Sequence, residues 1–79
     1  MNPFIRLHPA DDVLIARSQL VGGTQVEGVG VRGLIPPGHK VAVRPIAQGA
    51  PVRRYNQIIG FASRPIEAGE HVHTHNLDM

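Results

Sequence analysis

Ile35-Pro36-Pro37-Gly38-His39-Lys40-Val41 is one of four stretches built on the same plan. Leu20-Val21-Gly22-Gly23-Thr24-Gln25-Val26 precedes it. Ile46-Ala47-Gln48-Gly49-Ala50-Pro51-Val52 and Ile66-Glu67-Ala68-Gly69-Glu70-His71-Val72 follow. Each has an aliphatic anchor, two variable residues, a glycine, two more variable residues and a valine. A glycine three places after the anchor supplies the positive φ of a tight turn. The anchor and the valine then fold back into one core, leaving the variable residues at the turn and its exit. The units start 15, 11 and 20 residues apart. Unequal spacing excludes a solenoid, whose period is fixed, and fits a meander of hairpins with loops of different lengths.

Between and around the units lie short runs rich in β-branched residues, each predicting a strand. They are Phe4-Ile5-Arg6-Leu7-His8, Val13-Leu14-Ile15-Ala16-Arg17, Val29-Gly30-Val31-Arg32, Val41-Ala42-Val43-Arg44, Val52-Arg53-Arg54-Tyr55 and Ile58-Ile59-Gly60-Phe61-Ala62. Asp11-Asp12 reads as a turn, and Gly60 within an apolar run as a bulge or a close backbone approach. No stretch has the period of a long amphipathic helix. The expected fold is all-β and a single domain over residues 1–79, small enough that a partner surface or a continuing chain would help to stabilise it.

Composition narrows the function. The 79 residues contain no cysteine, which removes disulfides, thiolate metal sites and cysteine nucleophiles together and suits a reducing cytoplasm. No run approaches the roughly 20 apolar residues of a membrane span, and the first residues lack the order of a signal peptide. The formal charge is only +2, the arginines are scattered and aromatic residues are few. Nucleic-acid binding therefore lacks both a basic stripe and a stacking platform. There is no phosphate loop, nucleophile elbow or carboxylate pair set for acid/base work. A chain this short seldom encloses a substrate pocket alone, so any chemistry here needs a second surface.

The residues that point to chemistry are His71-Val72-His73-Thr74-His75-Asn76. In an extended strand His71, His73 and His75 share one face, about 7 Å apart at each step. Three imidazoles so placed can bind a metal, move protons near neutral pH or grip an anion. The plain alternative is a polar, solvent-facing strand. His39 and Lys40 follow a glycine turn and lie at a rim, where the plain alternative is a solvated turn exit. Tyr55 sits at a hairpin turn and reads equally as an edge aromatic covering a small core.

Ile35-Pro36-Pro37-Gly38-His39-Lys40-Val41-Ala42-Val43, then Arg54-Tyr55 with Ile59-Gly60, then Ala68-Gly69-Glu70-His71-Val72-His73-Thr74-His75-Asn76-Leu77 resemble the N-terminal SAF domain of the altronate/galactarate dehydratase family. The same pattern resembles the small subunit of sulfolactate sulfo-lyase. The resemblance implies a β-clip of short strands. It also implies a lyase that removes water from a sugar acid to give a 2-keto-3-deoxy acid, with iron or manganese as the divalent metal. By position, His73 and His75 are the expected catalytic residues, with metal ligation as their alternative role. His39, Lys40, Tyr55 and Asn76 are the expected substrate contacts. His71 lies just outside the His-x-His-Asn motif. Asn56 stands where the family usually has glycine, and asparagine tolerates the positive φ such a turn needs. The implied partners are a large dehydratase domain or subunit and the sugar-acid substrate, with neither membrane nor nucleic acid and with room for a homo-oligomer. The alternative from another functional class is a non-catalytic SAF binding or assembly module.

Overall fold

In a computed structural model, which describes residues 3–78, Gly23, Gly38, Gly49 and Gly69 take φ values of 90°, 83°, 83° and 89°. In every unit the residue after the glycine donates its N–H to the carbonyl three positions earlier. The four bonds are Thr24 to Val21, His39 to Pro36, Ala50 to Ala47 and Glu70 to Glu67, at 3.0–3.1 Å. A positive φ at the third residue of such a turn is the type II geometry, and Pro37 occupies its favoured second position. The anchors Leu20, Ile35, Ile46 and Ile66 are all buried, as are Val26, Val41, Val52 and Val72. Each buried aliphatic side chain contributes about 1.5–3 kcal/mol of transfer free energy.

The units associate in pairs. Leu20 and Ile35 exchange backbone hydrogen bonds of 2.9 Å, and Ile46 and Ile66 exchange bonds of 2.8 Å. Among the described residues nine short strands surround these turns: β1 (Phe4–Ile5), β2 (Val13–Ala16), β3 (Gln25–Val26), β4 (Val29–Gly30), β5 (Lys40–Ala42), β6 (Pro51–Arg54), β7 (Gln57–Ala62), β8 (His71–Val72) and β9 (Leu77–Asp78). All pairings are antiparallel. They form a sheet in the order β1-β2-β5-β8, a second in the order β6-β7-β9, and the β3-β4 ribbon. There is no helix among the described residues, so the all-β expectation holds.

The β2–β5 pair divides the interior in two. Val13 opposite Ala42 joins a core with Ile46, Val52, Ala62, Ile66, Val72 and Leu77. Leu14 opposite Val41 joins another with Ala16, Leu20, Val26, Val31 and Ile35. Alternation along two short strands thus feeds both cores, one from each pair of turn units.

Several strands are shorter than their sequence runs. The expected first strand ends at Ile5, and β8 ends at Val72 instead of continuing to His75. The extended reading of 71–75 is corrected by the Asn76 side chain, whose Oδ1 accepts the His73 N–H at 3.0 Å. The chain bends there, and Asn76 N–H closes back on the His73 carbonyl at 3.1 Å. At Gly60 both sequence readings hold. The β6–β7 register skips Ile59, and a Cβ on Gly60 would strike the Asp78 carbonyl and the Leu77 side chain. Tyr55 and Asn56 form the hairpin tip with φ values of 54° and 58°, so the asparagine does adopt the backbone usually given to glycine.

Candidate active-site face

The site begins at equivalent points in two units. His39-Lys40 follows the Gly38 turn and leads into β5; Glu70-His71 follows the Gly69 turn and leads into β8. These strands are neighbours, with Lys40 opposite Val72 and Val41 opposite His71. The pairing carries His39 onto the C-terminal histidines, 32 residues away in sequence. His39 Nδ1 and His71 Nε2 lie 2.9 Å apart, sharing a hydrogen bond whose direction depends on the tautomer. The His39 ring also stacks on His73, with centroids 4.3 Å apart and planes 27° apart. His71 and His73 are nearly parallel at 5.6 Å, and His75 tilts against His71 at 5.4 Å.

His39, His71 and His73 each present a ring nitrogen, all within 4.8 Å of one another. No carboxylate joins this group among the described residues. Glu70, the nearest in sequence, is committed elsewhere. Its Oε1 accepts the Glu67 N–H at 3.0 Å and its Oε2 accepts from Asn76 Nδ2 at 3.3 Å. The neighbours that influence the rings are cationic. The pKa of His71 is lowered by partial burial, then by the charges of His39, His75, His73 and Lys40. That of His73 is lowered by desolvation, then by His39, Lys40 and His75. Lys40 is itself half-buried, and burial followed by the Arg54 charge lowers its pKa. Such a cluster favours neutral imidazoles with free lone pairs, the form that accepts protons and ligates metals.

The expected site residues separate by role. His39 and His73 are central, Lys40 flanks them, and His75 is exposed at the edge of the stack. Asn76 is fully buried: its Nδ2 donates to the His71 carbonyl at 2.9 Å and its Oδ1 receives the His73 N–H. The carboxamide therefore fixes the segment that carries the histidines. Tyr55 is 64% exposed at the hairpin tip and is not among the stacked rings. His71, outside the motif on which the sequence reading centred, touches each of the other three rings. Alternation along the chain had already placed it on their face, which was the signal available for it. The described residues enclose no pocket, so the face is open.

Residues 2–79 match the family of altronate/galactarate dehydratase SAF domains. The chain is 42% identical over 77 residues to an altronate dehydratase of Escherichia coli (strain K12), covering 92% of this chain and 16% of that protein. It is 36% identical over 80 residues to an altronate dehydratase of Bacillus subtilis (strain 168), covering 96% of this chain and again 16% of the relative. Over 47 residues it is 45% identical to the (2R)-sulfolactate sulfo-lyase alpha subunit of Chromohalobacter salexigens, covering 60% of this chain and 50% of the relative. The chain thus spans about a sixth of the length of the altronate dehydratases it matches.

Proposed function

The chain belongs to the altronate/galactarate dehydratase SAF-domain family, and from that premise we propose that it is the histidine-presenting domain of a sugar-acid hydro-lyase whose active site is completed by a larger catalytic partner. The observation that carries this reading is the convergence of His39, His71 and His73 beside Lys40 on a face that encloses no pocket. Dehydrating a sugar acid removes the C–H proton beside the carboxylate and expels the neighbouring hydroxyl. The enol so formed becomes the 2-keto-3-deoxy acid. Proton removal needs a base near neutral pH, and the leaving oxygen needs an acid. An imidazole serves either role, being a base when neutral and an acid once protonated. The Lys40 ammonium pairs with the substrate carboxylate as a point charge.

Three imidazole nitrogens suit iron, whereas manganese prefers oxygen donors, so of the two metals implied by the family the donor set favours iron. His39, His71 and His73 would hold it, leaving proton transfer to His75 or to the larger partner, and it would supply charge stabilisation to the enediolate that develops on the substrate carboxylate. The remaining task of this chain is orientation: the Asn76 carboxamide sets the angle between the His71 and His73 backbones.

The similarity to the sulfo-lyase alpha subunit favours a second reading, in which the same face serves expulsion of a sulfur oxyanion. Turnover distinguishes the two. The complete enzyme containing this chain is assayed with altronate, galactarate and (2R)-sulfolactate, beside the 79-residue chain alone. Dehydration by the complete enzyme, none by the chain alone, and losses of about 10²-fold or more in His39→Ala, His71→Ala and His73→Ala support the hydro-lyase reading. Wild-type turnover in all three variants would leave a binding or assembly module.

A further inference from the structure

We propose that Glu70 is a positioning residue for this face: its carboxylate holds the segment carrying His73 and His75 against the strands that carry His39 and His71. The role rests on the hydro-lyase reading, but it gives a task to a side chain outside the cluster of ring nitrogens.

The histidines stand on two differently supported parts of the chain. His39 and His71 sit at the start of the paired strands β5 and β8. His73 and His75 lie beyond β8, in the bend that Asn76 closes. The far end of the bend is tied by the Ser63 N–H on the Asn76 carbonyl at 3.0 Å and the Arg64 guanidinium on the His75 carbonyl at 2.9 Å. Its near end depends on the Asn76 side chain. That carboxamide is fully buried, so each of its polar atoms needs a partner. Oδ1 takes the His73 N–H, and one Nδ2 hydrogen goes to the His71 carbonyl. The other goes to Glu70 Oε2 at 3.3 Å. Without that oxygen a buried N–H is left unpaired, and it regains a partner only if the carboxamide rotates or water enters. Either movement loosens the His73 N–H that Oδ1 holds.

Glu70 suits this task because its own backbone is rigid. The Gly69 N–H donates to the Ala42 carbonyl at 2.8 Å, and the Glu70 carbonyl accepts the Ala42 N–H at 3.0 Å. The Gly69 carbonyl takes the Arg32 N–H at 2.9 Å, and the Gly30 carbonyl fills the space where a Cβ on Gly69 would stand. Glu70 Oε1 is fixed in turn by the Glu67 N–H at 3.0 Å. The carboxylate is therefore a strut from a sheet-bound turn to the bend. The charges that act on the His71 and His73 rings come from the other histidines and Lys40, so Glu70 works through Asn76 and not through its field.

The test compares Glu70→Ala, Glu70→Gln and Glu67→Ala, the last removing an exposed carboxylate of the same turn. Amide hydrogen exchange is followed by NMR in the 79-residue chain, with circular dichroism confirming the fold, and kcat and KM for altronate and galactarate are measured in the complete enzyme. Glu70→Ala should speed exchange at His73 by about 10-fold or more relative to Leu20, whose N–H is bonded to Ile35 in the other core. It should lower kcat by about 10-fold or more at an unchanged KM, the mark of lost orientation. Glu70→Gln keeps an acceptor oxygen for Asn76 and should stay within about threefold of wild type on both measures, well short of that loss. Glu67→Ala should match wild type. Equal losses in Glu70→Gln and Glu70→Ala would make the charge and not the bond responsible and overturn the role. Wild-type His73 exchange or wild-type kcat in Glu70→Ala overturns it as well. If the complete enzyme dehydrates neither acid, the proposed function falls, while faster His73 exchange in Glu70→Ala still upholds the strut.

Discussion

The carboxylate of Asp11 accepts the backbone N–H of Asn56 at 2.7 Å, across 45 residues of sequence. Its other oxygen accepts the N–H of Tyr55, also at 2.7 Å, while the side chain itself is fully buried. Beside it, Asp12 takes the Arg53 N–H at 2.8 Å and pairs with Arg44 at 3.2 Å. One acidic dipeptide thus ties the tip of the β6–β7 hairpin to the start of β2. Hydrogen bonds to a charged acceptor contribute about 1.5–3 kcal/mol each. Asp11→Ala is expected to cost about 2–4 kcal/mol, and Asp11→Asn less, because one acceptor oxygen survives. Urea midpoints measure both, and an alanine variant within about 0.5 kcal/mol of wild type would show that water serves the turn equally well.

Gly38 and Gly69 occupy the same place in their units but stand in different surroundings. A Cβ at Gly38 meets nothing, whereas one at Gly69 would strike the Gly30 carbonyl. Gly38→Ala should therefore cost only the left-handed backbone strain, about 1–2 kcal/mol. Gly69→Ala adds a backbone clash and should exceed it by about 1–3 kcal/mol. Thermal unfolding of the two variants checks the order; equal losses would mean that the Gly30 segment yields without cost.

Acid should weaken the fold before its carboxylates titrate. The native pKa values of His71 and His73 lie below the ordinary 6.5, chiefly through desolvation and then the His39 charge. Between those lowered values and 6.5 the unfolded chain binds protons that the native chain does not, so stability rises with pH there. The contribution is complete above 6.5 and is lost as pH falls through the native values. Urea midpoints with chelator present, from about pH 7.5 to about 5.5, should decline, and His71→Gln should flatten the slope. A midpoint that rises on acidification contradicts the sign.

Asn76 faces two oxygens through its Nδ2, those of Glu70 and the His71 carbonyl. Asn76→Asp replaces that donor by an acceptor and should destabilise by about 1–3 kcal/mol near neutral pH. Protonating the introduced carboxyl restores one donor, so the gap to wild type should narrow on acidification. If the deficit is constant with pH, the loss lies in packing rather than in these bonds.

The turns were legible because each rests on local facts: a glycine at positive φ, with an anchor and a valine placed to return to a core. Their association was not. Leu20 meets Ile35, and Ile46 meets Ile66, through isolated bridges with no sequence pattern of their own. His39 joins the C-terminal histidines only because β5 lies beside β8, a consequence of topology. The run from His71 to His75 was read as one strand because period-two alternation is blind to a side chain that bends the backbone, as Asn76 does at His73. Asp11-Asp12 was legible as a turn, but its reach to Arg53, Tyr55 and Asn56 lies in tertiary contacts.

The four turn exits are not used alike. Thr24-Gln25 and Ala50-Pro51 carry little chemistry, while His39-Lys40 and Glu70-His71 open onto adjacent strands. The His39, Lys40 and His71 side chains lie between surface turns and buried valines and can be exchanged without reshaping the interior, whereas Ala50 packs on a core and Glu70 holds the buried Asn76. The architecture works as a socket board: four equivalent mounts, of which the wiring of the sheet makes two into neighbours. Rewriting those two mounts, together with His73 in the bend that Asn76 holds, creates or removes the reactive face and leaves the hydrophobic framework in place.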